Sequence, residues 1–264
     1  WRPKAGTGPV ERRVVRQKVR SEVVNELACF AGAGGGILAG KLLGWRTVCA
    51  VEIDAFCARR LMQRQNEGHL SPFPIWDDVR TFDGREWRGL VDVVSGGFPC
   101  QAHSGAARGR TVADDLWPEM RRVVADVAPR YVFAENVVRK AIEAAAGDLE
   151  DMGYETRILA LGAADMGGDH LRQRYWLFAH ADNDGELCVP QHAEVAELPG
   201  IRPGVWEAYP GEPRMVDGVA HWVDRLEATG NGQVPLVAAA AWRILTHNDQ
   251  GNGPRQAQLA EGPR

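Results

Sequence analysis

Apolar residues along the chain fall into short runs separated by longer stretches with helical spacing. The run at 23–29 (Val-Val-Asn-Glu-Leu-Ala-Cys) reads as a first strand, and a glycine cluster, Gly32-Ala33-Gly34-Gly35-Gly36, follows it. Further runs at 47–52, 91–95, 131–134, 156–161 and 175–179 continue the series of strands. Helical patterns at 37–44, 55–66, 115–127 and 138–152 lie between them, and Asp54 stands where an N-cap for the 55–66 helix belongs. Strands alternating with helices predict an α/β fold, a doubly wound, mostly parallel Rossmann-like sheet covered on both faces.

That rhythm stops after Ala179. Residues 180–215 are rich in Pro and Gly and carry no clear period, and a last apolar helix at 233–245 is expected to pack back on the sheet. The organisation is therefore a polar arm (1–20), an α/β domain (21–179), a short loop-rich segment (180–229), a C-terminal helix (230–245) and a polar tail (246–264). No internal repeat is visible.

Composition narrows the classes. With 264 residues, 45% hydrophobic and 25% charged, the chain is globular and long enough for a real core, which excludes disordered, collagen-like and coiled-coil proteins. No run approaches the eighteen or so apolar residues of a membrane span. The chain starts at Trp1 with no charged-then-apolar leader, and export is not expected. Cys29, Cys49, Cys57, Cys100 and Cys188 form no CxxC pair, which points to a reducing cytoplasm and to neither a disulfide framework nor a metal site. The net charge of −4 hides an asymmetry. Residues 1–20 set seven basic side chains against Glu11 alone, whereas 180–212 sets seven acids against Arg202. Arginine outnumbers lysine 27 to 4, a bias that suits phosphate recognition and that GC-rich coding produces equally well.

Three constellations carry chemistry. Glycines directly after a first strand let backbone amides approach a cofactor, and Glu52, at the end of the second strand about twenty residues on, stands where a ribose hydroxyl pair would be held. The loop alone does not separate a dinucleotide from S-adenosylmethionine. In Ser95-Gly96-Gly97-Phe98-Pro99-Cys100-Gln101, a buried strand runs into two glycines and a Pro-Cys turn. A free cysteine is commonly buried and inert, but a Pro-flanked loop at the carboxyl end of a sheet is a poor place to bury one and a good place for a nucleophile. The run 131–137 ends its strand in Glu135 and Asn136. Alone this reads as a cap by Asn136 beside a solvent-facing acid; beside a crevice, the acid could exchange a proton with a ligand.

Together these pieces resemble the DNA (cytosine-5)-methyltransferase family of phage and bacterial type. The resemblance runs from the 30–36 loop and Glu52 through Asp78-Val79, Phe98-Pro99-Cys100-Gln101, Glu135-Asn136-Val137 and Arg172-Gln173-Arg174 to Gly230-Asn231-Gly232-Gln233-Val234-Pro235, in the family's usual order. It implies an S-adenosylmethionine-dependent enzyme that methylates carbon 5 of a flipped-out cytosine in double-stranded DNA through a covalent Cys100 adduct. The catalytic set it implies is Cys100, Glu135, Arg172 and Arg174. The cofactor set is Phe30, Gly32, Gly34, Gly35, Glu52, Ile53, Asp78, Val79, Phe98, Pro99, Asn231 and Gly232. Gln101, Ser104, Arg108, Arg110 and Asn136 would face DNA. No metal and no membrane are involved, and the enzyme is expected to be a cytoplasmic monomer.

One departure from the family stands out. Only about 180–229 is left for target recognition, and its acidic first half is a poor phosphate surface. Either it folds away from DNA or it reads bases through Asn183, Gln191, His192 and Trp206, with the basic arm supplying phosphate contacts. The rival readings are a tRNA cytosine-5 methyltransferase, a silent DNA-binding relative, and a nicotinamide oxidoreductase. The last leaves Cys100-Gln101 and Glu135-Asn136 unexplained.

Overall fold

A computed structural model describes residues 23–99, 115–168, 172–181 and 232–247. The basic arm, Cys100, Gln101, Ser104, Arg108, Arg110, the acidic segment from 182 onward, Asn231 and the tail from 248 lie outside the described residues.

The first strand, β1 (Asn25–Cys29), lies inside a seven-stranded sheet between β2 (Arg46–Val51) and β4 (Val93–Gly97), parallel to both. With β3 (Ile75–Trp76), β5 (Tyr131–Asn136), β6 (Tyr154–Leu161) and β7 (Arg174–Ala181), the order across the sheet is β3-β2-β1-β4-β5-β7-β6. The mostly parallel sheet expected from the sequence is present, with one reversal: β7 runs antiparallel to both β5 and β6. The inner strands are apolar along their length because helices cover both faces. Alternation sorts their side chains, so Val132 and Ala134 of β5 join one core cluster while Tyr131 and Phe133 join the other.

On the first face, α3 (Trp117–Val127) and α4 (Arg139–Asp151) set Met120, Val123, Val127, Ile142 and Leu149 against Leu27, Val94 and Leu177. On the second, α1 (Gly35–Leu42) and α5 (Pro235–Thr246) pack together. Four consecutive alanines, Ala238 to Ala241, bring α5 close to the sheet, and the Trp242 ring meets Tyr131, Phe133 and Phe178 edge-on at centroid distances of 5.6, 5.4 and 5.1 Å. The helix α2 (Ala55–Asn66) follows the sequence reading, with the Asp54 carboxylate accepting from the Cys57 amide at 2.8 Å. Among the described residues no helix is long and apolar enough to cross a membrane.

Three local differences have physical causes. The two-residue β3 escapes the apolar pattern because Pro72 and Pro74 crowd it and only Ile75 and Trp76 pair. The strand read over 91–95 lies two residues further on, at Val93–Gly97, with both glycines in β4, and β5, read over 131–134, extends through Glu135 and Asn136.

A fully buried carboxylate also lies in β1. Glu26 accepts from Thr47 Oγ1 at 2.7 Å and Ser95 Oγ at 2.6 Å, hydroxyls on the two flanking strands. Burial raises its pKa more than these bonds lower it. A raised folded-state pKa contributes stability below the unfolded carboxyl value of about 4.3, and that contribution is lost as pH rises through the folded value. Glu26→Gln should therefore be more stable than the parent at pH 7, by a margin that shrinks toward pH 4. Urea unfolding at the two pH values checks this; a margin independent of pH would contradict it.

Candidate active site

The carboxyl ends of the parallel strands hold the polar residues. After β1 the chain turns through Phe30 (φ 51) and Gly32 (φ 53) before entering α1. For a bulky residue such as Phe30 the left-handed conformation is strained, a feature that concentrates at functional turns. Its side chain is only half-buried and packs in part against the core.

Glu52, just past β2, fixes this loop. Its Oε2 accepts from the Gly32 amide at 2.5 Å and its Oε1 from the Asp54 amide at 2.7 Å. Burial raises its pKa, and these two amide bonds work against that rise. Beside it, Ile53 and Trp76 expose 61% and 46% of their surface, an apolar ledge at the end of β2 and β3. Asp78 caps the short 79–81 turn and pairs with Arg80 Nε at 3.0 Å, and the hydrogen bonds from Arg80 hold its pKa below the usual range. Val79 is buried, and its carbonyl accepts from Arg122 Nη2.

A second cluster forms where β4, β5 and β7 end together. Because β7 is reversed, its first residue, Arg174, lies at the same edge as the last residues of β4 and β5. Glu135 pairs across with Gly97, and the missing side chain matters: a Cβ at 97 would stand 2.6 Å from Glu135 Oε2. Arg174 Nε is 2.8 Å from Glu135 Oε1, an ion pair without hydrogen-bond alignment, so Oε1 accepts no hydrogen bond although it is buried. The Gln233 carboxamide hydrogen-bonds the same carboxyl group. Burial raises the Glu135 pKa, while Arg174, Arg172 and Gln233 oppose the rise. Arg172 in turn donates to the Gly232 carbonyl, and its pKa is lowered by burial and by Arg174.

Phe98 is buried against Trp117, and the Pro99 carbonyl accepts from the Leu116 amide, so the chain leading to Cys100 starts from fixed ground. Asn136 contributes to this. Expected on the DNA side, it is turned inward: Nδ2 donates to the Phe98 carbonyl at 2.8 Å and Oδ1 accepts from the Val138 amide at 2.9 Å. The family model for C-5 cytosine-specific DNA methylases matches residues 25–201.

The chain belongs to the C-5 cytosine-specific DNA methylase family.

Among its relatives, the Type II methyltransferase M.Eco47II of Escherichia coli is 32% identical over 155 residues, covering 54% of this chain and 36% of that protein. The Type II methyltransferase M1.HphI of Haemophilus parahaemolyticus is 32% identical over 179 residues, covering 61% and 47%. The S. pombe Dnmt2 methyltransferase structure matches with a TM-score of 0.49 at 21% identity, over 62% of this chain and 51% of that one. The chain thus matches about half or less of the length of these relatives.

In this member of the family most of the described residues singled out from sequence fall into two groups at the carboxyl ends of the parallel strands. Gly32, Glu52, Ile53, Asp78 and Val79 lie past β1, β2 and β3; Phe98 and Pro99 follow β4, Glu135 and Asn136 end β5, and Arg172 and Arg174 lie before and at the start of β7, with Gly232 bonded to Arg172. Gln233 joins the groups, and the sequence reading gave it no role, since a single glutamine after a glycine carries no spacing signal. Asn136→Ala would leave the Phe98 carbonyl and the Val138 amide without their partner, at about 1–3 kcal/mol for each such buried group. Chemical denaturation should show a loss of this order; unchanged stability would contradict the assigned contacts.

Proposed function

We propose that the chain methylates carbon 5 of cytosine in double-stranded DNA, with S-adenosylmethionine as donor and Cys100 as nucleophile. The observation that carries this reading is the Glu135 carboxyl group, buried at the sheet edge with one oxygen held and the other, Oε1, without a hydrogen bond, close to the Phe98-Pro99 segment that leads directly to Cys100.

The donor site fits its ligand. A carboxylate held by two backbone amides at the end of β2 suits a ribose hydroxyl pair, the exposed faces of Ile53 and Trp76 suit an adenine, and the strained turn at Phe30 to Gly32 brings backbone close. S-adenosylmethionine, when bound, supplies the electrophilic methyl group that carbon 5 takes.

Carbon 5 of cytosine is too weak a nucleophile to take it unaided. The Cys100 thiolate adds to carbon 6, forming a sulfur–carbon bond, and the ring electrons move so that carbon 5 gains enamine character while ring nitrogen 3 takes a proton. Glu135 donates that proton. Its burial raises its pKa, so it holds a proton at a higher pH than an ordinary carboxyl group. Arg172 and Arg174 hold the ring carbonyl and offset negative charge as it develops. Once carbon 5 carries the methyl group, its hydrogen leaves as a proton to water, the electron pair of that bond forms the carbon 5–carbon 6 double bond, the carbon–sulfur bond breaks to release the thiolate, and ring nitrogen 3 returns its proton to Glu135. These ring atoms cannot be reached inside a stacked duplex, so the cytosine must swing out.

Labelled-methyl incorporation into duplex DNA, followed by mapping of the modified base, tests the reading. Cys100→Ser should abolish transfer and keep cofactor binding, and Glu135→Gln should lower turnover by about two to four powers of ten. Transfer by Cys100→Ser at the parental rate, or methylation of tRNA with none of DNA, would contradict the reading. Glu52→Ala should weaken binding of S-adenosylhomocysteine by about ten- to a hundredfold, the loss of a charge-assisted hydrogen bond. Calorimetry reads this directly, and unchanged affinity would remove Glu52 from the cofactor site.

A further inference from the structure

We propose that Gln233 is a positioning residue, its side-chain amide holding the Glu135 carboxyl group in place while its oxygen and its backbone lock against the start of α1. The inference rests on the reading of Glu135 as the proton donor and adds a residue to that machinery.

Gln233 is wedged between the two halves of the site. A Cβ placed at Gly35 would stand 2.2 Å from the Gln233 carbonyl oxygen, and one at Gly36 would stand 2.6 Å from Gln233 Oε1. Across the gap, Gln233 Nε2 is 3.3 Å from where a Cβ of Gly97 would stand, beside Glu135 Oε2. The orientation of the amide follows from its neighbour. A carboxylate accepts only, so the NH₂ group must face Glu135, which leaves Oε1 toward Gly36. Glu135 Oε2 and Gln233 Nε2 both flank the Gly97 Cβ position, so the Gln233 donor lies on the Oε2 side, while Oε1 faces Arg174 Nε at 2.8 Å without a hydrogen bond.

The mount is rigid. Arg172 clamps the preceding carbonyl, of Gly232, and Pro235 opens α5 two residues on. From Val237 to Trp242 that helix is buried, and Trp242 is walled in by Tyr131, Phe133 and Phe178. A side chain carried on such an element positions its partner more closely than one on a free loop. Glycine at 35 and 36 lets the segment approach, and glycine at 97 leaves room for the carboxyl group it holds.

A donor aimed at a carboxylate favours the charged form. Among the described residues, the charged groups facing Glu135 are Arg172 and Arg174, and both also favour the charged form. Removing the Gln233 donor therefore moves the Glu135 titration to higher pH. A role confined to filling space would leave it where it is.

The test is a carbon-13 NMR titration of the Glu135 carboxyl carbon in the full chain, its signal assigned by its loss in Glu135→Gln. Gln233→Met keeps the length and volume of the side chain and removes the donor; the Glu135 midpoint should rise. In Gln233→Glu a second carboxyl group competes for the same proton, and the midpoint should rise further. This second variant serves if the first fails to fold. An unchanged midpoint in a folded variant would overturn the inference. Turnover in Gln233→Met should fall by about ten- to a hundredfold with the cofactor KM little changed, as for loss of one hydrogen bond to a charged group, and an equal change in both would assign Gln233 to the cofactor loop alone. The titration needs no methyl transfer. A wild-type protein that methylates no DNA contradicts the proposed function, and a fixed Glu135 midpoint contradicts this inference.

Discussion

A carboxyl group buried at the edge of a sheet sets the terms for the rest of this fold. Taking an ion out of water costs several kcal/mol even after relaxation, and Glu135 is 6% exposed. The neighbouring strands are arranged to offset that cost without cancelling it. Gly97 on one side leaves space, the reversed β7 brings Arg174 to the other, and Gln233, two residues before α5, supplies a neutral donor. A single side chain at 97, or a β7 running with its neighbours, would remove one of these. The result is an acid that is oriented yet still holds its proton more tightly than a solvated one.

Glu26 shows how differently the same fold treats a carboxylate with no substrate to meet. Three residues earlier than the end of β1, it is fully buried and bonded at both oxygens by the Thr47 and Ser95 hydroxyls. Neutral donors inside the sheet hold it; at the edge, cations and an amide hold Glu135 with one oxygen unbonded. Strand position separates the two roles, since only the carboxyl ends of the strands open on the crevice.

Much of this was legible in the sequence. The strand and helix rhythm gave the layered sheet, Asp54 marked the start of α2, and the glycine loop with Glu52 twenty residues on came together as a hydrogen bond between Glu52 and Gly32. What the sequence hid was long-range geometry. Nothing local says that β7 runs backwards, yet this brings Arg174 to Glu135. Spacing does not say that β4 continues through Gly96 and Gly97, where the missing side chain at 97 leaves room for a neighbour's carboxyl group. Asn136 looks like an exposed polar residue because its partners, the Phe98 carbonyl and the Val138 amide, are met only in the folded chain. Gln233 is the plainest case, since its neighbours come from β4, β5 and the start of α1, more than ninety residues away along the chain.

The central claim is that a cysteine following Pro99 bonds to a cytosine ring while the acid of β5 assists. Replacing hydrogen by fluorine at carbon 5 of the target isolates that bond, because after methyl transfer fluorine cannot leave as a cation and the cysteine cannot be expelled. Duplex DNA carrying 5-fluorocytosine at a mapped target site, incubated with the protein and S-adenosylmethionine, should yield a protein–DNA species that survives denaturing electrophoresis. It should require the cofactor, and peptide mapping should locate the attachment at Cys100. Absence of the species from a site that the protein methylates in its unfluorinated form, or attachment at another residue, would contradict the account.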